Sequence, residues 1–91
     1  MTARAWRDAP YRGFPTRQQV LADDLIRCGQ LEGMTRRQVR RLLGSPDERD
    51  RRSFSWEVGP ERDSFFRIDS EYFEVSFDRE GRFRRASFYQ G

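Results

Sequence analysis

Glu57, Glu71 and Glu74 are the residues of this sequence through which acid–base chemistry could run. Two carboxylates flanking a reacting bond can divide the roles of acid and base. Fifteen acidic residues in a chain of 91 make such pairs common by chance, and little else here supports catalysis. With no His, the usual general base and metal ligand are missing. With no Lys, there is neither a phosphate-binding P-loop lysine nor a Schiff-base nucleophile. The single Cys28 can form neither an internal disulfide nor a zinc site. These absences predict no catalytic residues, no cofactor and no metal. The expected work of the chain is binding.

The cations define a second kind of chemistry. All eighteen are Arg, set against fifteen acids for a net charge of +3. Residues 1–45 hold nine Arg and four acids, a net +5, whereas residues 46–91 hold nine Arg and eleven acids, a net −2. Arg36, Arg37, Arg40 and Arg41 fall on one side of a predicted helix, and residues 1–15 mix three Arg with Trp6, Tyr11 and Phe14. Such a helix face and arm could neutralise phosphates and stack bases, so nucleic-acid binding is the alternative function. The small net charge and the slightly acidic second half weigh against it. A solvated polar face is the plainer reading of these arginines.

These residues need a scaffold, and the chain is long enough for one small domain with one core. An apolar fraction of 35% and a mean hydropathy of −1.00 border on disorder. Thirteen aromatics pull the other way, and ten of them lie between Phe54 and Tyr89 in alternation with polar residues. That pattern predicts ordered sheet.

Residues 1–15 contain Pro10, Gly13 and Pro15, which predicts a flexible Arg/aromatic arm ahead of a single domain at 16–91. Thr16 and Gln19 have capping-box spacing. Leu21, Leu25 and Cys28 then recur as a core stripe flanked by Ala22 and Ile26. Gln19, Asp23 and Arg27 would form the wet side, and Gly29 would close the helix. A second capping box joins Thr35 to Gln38, with Met34 and Val39 as a hydrophobic staple. Val39, Leu42 and Leu43 face inward, Gly44 stops the helix and Pro46 prevents its return. The two helices should pack as an antiparallel pair.

After a charged connector, Phe54, Trp56 and Val58 alternate as a half-buried strand ended by Gly59-Pro60. Residues 60–70 read as a loop whose Phe65, Phe66 and Ile68 fold back on the body. Phe73, Val75 and Phe77 form the next strand, and Asp78-Arg79-Glu80-Gly81 reads as a bulged hairpin turn leading into a return strand, 82–89. The fold class is therefore α+β, two helices on one face of a three-stranded antiparallel sheet. Pairing through that turn sets Phe77 opposite Phe83 and Tyr72 opposite Phe88. The far sheet face would then carry Tyr72, Glu74, Arg84, Ala86 and Phe88, with Glu57 at the rim. An aromatic anchor in a polar border is the composition of a protein-binding site.

The stretch from Leu31 to Asp47, Leu-Glu-Gly-Met-Thr-Arg-Arg-Gln-Val-Arg-Arg-Leu-Leu-Gly-Ser-Pro-Asp, resembles the "GMT…V…LLG.PD" signature of the SmpA/OmlA (BamE-like) family. Trp56, Phe73 to Asp78 and Gly81-Arg82 are similar to its later strand pattern, so the likeness spans residues 16–89. The resemblance implies a two-helix, three-strand fold, akin to β-lactamase-inhibitor proteins, used for protein contact without catalysis. The lipoprotein members serve outer-membrane assembly, whereas here the one Cys lies inside a predicted helix, and the expectation is a chain with neither leader nor lipidated N-terminal Cys. The expectation is a cytoplasmic adaptor, assembly factor or enzyme inhibitor that binds another protein, or itself as a homodimer, and no membrane.

Overall fold

The computed structural model describes residues 1–62 and 69–91. Three helices, α1 (Ala3–Arg7), α2 (Arg17–Cys28) and α3 (Arg36–Leu43), precede four strands. These are β1 (Glu48–Arg49), β2 (Ser53–Pro60), β3 (Ser70–Phe77) and β4 (Phe83–Gln90), joined as an antiparallel meander in the order β1-β2-β3-β4. The α+β class holds, with one more helix and one more strand than the sequence pattern predicts. Both extra elements are short. The expected return of Phe65, Phe66 and Ile68 onto the body lies outside the described residues.

Both capping boxes form. The Thr16 hydroxyl accepts from the Gln19 N–H, and the Thr16 N–H donates to the Gln19 side chain. Thr35 and Gln38 do the same for α3. Gly29 closes α2 at φ 65°, a left-handed position that glycine takes without strain. Inward from α2 lie Leu21, Ala22 and Leu25, all buried.

Two residues of α2 depart from the predicted stripe. Cys28 is exposed and Ile26 is 43% exposed, whereas Leu31, just past the Gly29 turn, is buried in the core. Gln19, expected on the wet side, is fully buried, and the reason is polar. A bulge at Val58 interrupts the pairing of β2 with β3, and the Val58 carbonyl accepts from the Thr16 hydroxyl at 2.6 Å. The Gln19 amide donates to the Pro60 carbonyl at 2.8 Å and to Glu71 at 3.3 Å. The N-terminus of α2 thus sits flush on the end of β2. A Cβ on Gly59 would lie 2.8 Å from the Gln19 amide and 2.9 Å from the Thr16 methyl, so this contact needs glycine.

The helices do not form the antiparallel pair expected of them. α3 makes its principal helix contact with α1, and α2 packs on β2. α1 belongs to the segment expected as a flexible arm. Five residues cannot sustain a helix alone, and what holds this one is Trp6, 2% exposed in the core with its ring 6.1 Å from Phe73. The Thr2 hydroxyl caps its start by accepting from the Ala5 N–H. Around Phe73 the core is mostly aromatic. Trp56 lies at 6.5 Å and Phe88 at 5.3 Å from that ring, and Phe54 and Phe77 meet edge-on at 5.1 Å.

The charged connector after α3 does more than span a gap. Asp47 caps the open side of β2, its N–H donating to the Ser55 carbonyl and its carboxylate accepting from the Glu57 N–H. Glu48 and Arg49 then pair with Ser55 and Phe54 as β1. Three charged residues, Asp47, Glu48 and Arg49, thus cover this stretch of the β2 edge.

Candidate interaction surface

Which face of the sheet each residue occupies depends on the β3–β4 register. The turn forms as predicted, with the Asp78 N–H donating to the Arg82 carbonyl, and Phe77 pairs with Phe83. One residue later the ladder shifts, because Ser76 pairs with Arg85 and leaves Arg84 as an extra residue on β4. Every later partner moves by one. Tyr72 meets Tyr89, and Phe88 meets Phe73. Since side chains alternate strictly along a strand, one inserted residue exchanges the two faces.

The expected site is therefore corrected at two of its five residues. Ala86 and Phe88 lie on the helix side, half-buried against the core, and the Arg62 guanidinium sits 4.9 Å over the Phe88 ring. Arg84 is exposed at the bulge. Tyr72 and Glu74 remain on the far face. Tyr89 takes the place intended for Phe88.

The far face reads as cross-strand rows. Glu48, Ser55, Glu74 and Ser87 form one, and Glu57, Tyr72 and Tyr89 form the next. The Tyr72 and Tyr89 rings stack at 5.2 Å with 8° between their planes. Tyr11, 54% exposed, reaches this face from the N-terminal segment. Its hydroxyl donates to one Glu57 oxygen at 3.1 Å, and the Tyr72 hydroxyl donates to the other at 3.4 Å. No described helix lies over this face; three tyrosines and three glutamates make up much of its surface.

Burial and then Glu57 hold protons on two of these tyrosines. Burial, then the hydrogen bond Tyr11 donates to Glu57 and the charge of Glu57, hold the Tyr11 hydroxyl above its ordinary value of 10.0. For Tyr72 the order is burial, then the charges of Glu57 and Glu48. Both hydroxyls therefore stay protonated donors at neutral pH. A folded state that holds a proton more tightly than the unfolded chain is stabilised below the unfolded value and loses that increment as pH rises through the folded one. Alkaline titration followed at 295 nm should show two tyrosines ionising late. Glu57→Gln should bring both downward.

The three glutamates proposed above for acid–base chemistry do not share one face. Glu57 and Glu74 share the far face, but Glu71 faces the helices, 4% exposed. There its carboxylate accepts from Arg62 at 2.7 Å, and Arg62 also forks onto both oxygens of Asp23, at 2.8 and 3.3 Å. Burial disfavours charge on Arg62, but Asp23 and Glu71 outweigh it and raise its affinity for the proton. Sequence spacing gave no hint of this cluster, whose members lie 39 and 9 residues apart from Arg62.

The four arginines expected on one side of a helix are found there. Arg36, Arg37, Arg40 and Arg41 are all exposed on α3, opposite buried Val39 and Leu43. Among the described residues no helix is long and apolar enough to cross a membrane.

Fold and surface together define a small α+β domain with one sheet face under helices and the other open. Comparisons with protein-family models, curated proteins and solved structures find no match.

Proposed function

We propose that this domain is a non-catalytic protein-interaction module, cytoplasmic, that binds its partner through the far face of the sheet. The observation that carries the reading is the stacked Tyr72–Tyr89 pair, fixed beside Glu57 on a face that no described helix covers. Tyrosine gives large contact area with few rotatable bonds and a polar tip, which is why it recurs at interface hot spots. With Glu48, Glu57 and Glu74 beside the rings, the partner segment is one that offers cations and hydrogen-bond donors. An adaptor, an assembly factor and an inhibitor of one enzyme are all uses of such a surface, and a second copy of the chain is also a fit. Membership of the SmpA/OmlA (BamE-like) family is part of the proposal. It is supported by the order of elements, a capped helix from Thr35 to Gly44 followed by a meander with an Asp78–Gly81 turn.

The test is the double variant Tyr72→Ser/Tyr89→Ser. Loss of one cross-strand aromatic pair costs the fold about 1 kcal/mol or less. Loss of two interface anchors weakens partner binding by roughly 30-fold or more. A folded variant that retains its partner would refute the site.

A further inference from the structure

The far-face reading leaves the arginines of α3 without a role, and their surroundings extend well past that helix. An open groove of about 480 Å³ is lined by Arg36, Arg37, Arg40 and Arg41 with Phe54 at its floor. A second groove, about 260 Å³, is lined by Arg36, Arg51, Arg52, Asp78 and Arg79. Arg36 belongs to both, so the two form one track along α3 and past the β1–β2 and β3–β4 turns. Its guanidinium is held in place, donating to the Arg51 carbonyl at 2.8 Å and lying 5.6 Å from the centre of the Phe77 ring.

Among the described residues, ion pairs engage Arg4, Arg7, Arg27 and Arg62, and no arginine of the track. Two acids in the adjoining turns serve the backbone. Asp50 accepts from the Arg52 and Ser53 N–H groups, and Asp78 accepts from those of Glu80 and Arg82. A guanidinium fork matches phosphate oxygens geometrically, and several in a row match a chain of phosphates.

We infer that this track binds the phosphodiester backbone of nucleic acid, without reading its bases. A membrane surface fits less well, because insertion needs exposed apolar side chains and the apolar floor here is buried, Phe54 to 8% and Phe77 to 1% exposure. For the same reason the track offers phosphate contacts and no stacking platform. Glu48, Glu57 and Glu74 on the other face repel a polyanion and confine it to the α3 side. The inference is independent of the protein-binding reading, which uses the opposite face.

The test is fluorescence anisotropy of labelled 20-nucleotide single-stranded RNA and DNA with the full chain, from 50 to 200 mM NaCl. About five phosphate contacts give a slope of log affinity on log salt near −3.5, a loss of roughly 100-fold over that range. Arg37→Gln/Arg40→Gln/Arg41→Gln should reduce affinity at least about tenfold and flatten the slope by about 2. The matching Arg→Lys triple should retain most binding, and Arg84→Gln/Arg85→Gln on β4 should change neither quantity. Thermal unfolding confirms that each variant is folded. No binding at 50 mM salt, a flat slope, or a triple Gln variant that binds normally would overturn the inference. So would tighter binding to phosphatidylserine vesicles, or equal displacement of the strand by polyglutamate.

Discussion

Trp6→Ala is expected to lower stability by about 3–5 kcal/mol, the usual cost of emptying an aromatic site in a core. In a domain of this size that is a fall in Tm on the order of 20 °C. The position of the ring sets this cost. Trp6 is 2% exposed, its ring lies 6.1 Å from Phe73, and Phe73 in turn contacts Trp56 and Phe88. Removing the indole opens the centre of the aromatic cluster, and the other apolar side chains of α1 are only Ala3 and Ala5. Stability of a chain of 91 residues is roughly 5–13 kcal/mol, so one N-terminal residue carries a large share of it. Urea denaturation measures the loss. A change within about 0.5 kcal/mol, the range of an ordinary surface substitution, would mean that the N-terminal segment is the loose arm its prolines suggest.

Glu71→Ala is expected to cost about 2–4 kcal/mol. Breaking a buried ion pair from one side typically costs 3–5 kcal/mol, because the other charge stays buried without its partner. Two features moderate the figure. Arg62 keeps its fork on Asp23, and its side chain is 21% exposed. A third feature works against moderation, since Glu71 also receives the Gln19 amide that seats α2 on β2. Glu71→Gln, which keeps an acceptor and removes the charge, should lose noticeably less. Equal losses from the two variants would show that the packing of this side chain matters and its bonds to Arg62 and Gln19 do not.

Much of this fold was legible in local chemistry. Both capping boxes, the Gly29 and Gly44 stops, the Phe54–Val58 and Phe73–Phe77 alternations and the Asp78–Gly81 turn are all short-range signals, and each appears where spacing put it. What failed was long-range. Nothing near Trp6 in sequence tells that its ring reaches Phe73, and Gln19 looks like a wet-face residue until Pro60 and Glu71 arrive. β1 is two charged residues, below any periodicity. The bulge did leave a trace. Phe83 and Phe88 are five apart, so a strictly alternating strand cannot put both on the core side, and the Arg84-Arg85 pair marks where alternation breaks. That spacing fits either an unbulged strand with Phe88 outward or a bulged one with Phe88 inward, and only the observed pairing decides. The candidate site was thus half legible: Tyr72, Glu74 and Glu57 followed from alternation, while Tyr89 and Tyr11 required the register and the path of the N-terminal segment.

The central claim is that the tyrosine–glutamate face is where a partner protein docks. A photo-crosslinking side chain placed at Ser76 or Ser87, both on that face, tests it inside native cells, with Arg27 on α2 as the control position. The account predicts a discrete protein adduct from Ser76 and Ser87, lost in the Tyr72→Ser/Tyr89→Ser background and absent from Arg27. An adduct of twice the chain mass would identify the partner as a second copy. No adduct from the sheet face, or the same adducts from Arg27, would contradict it.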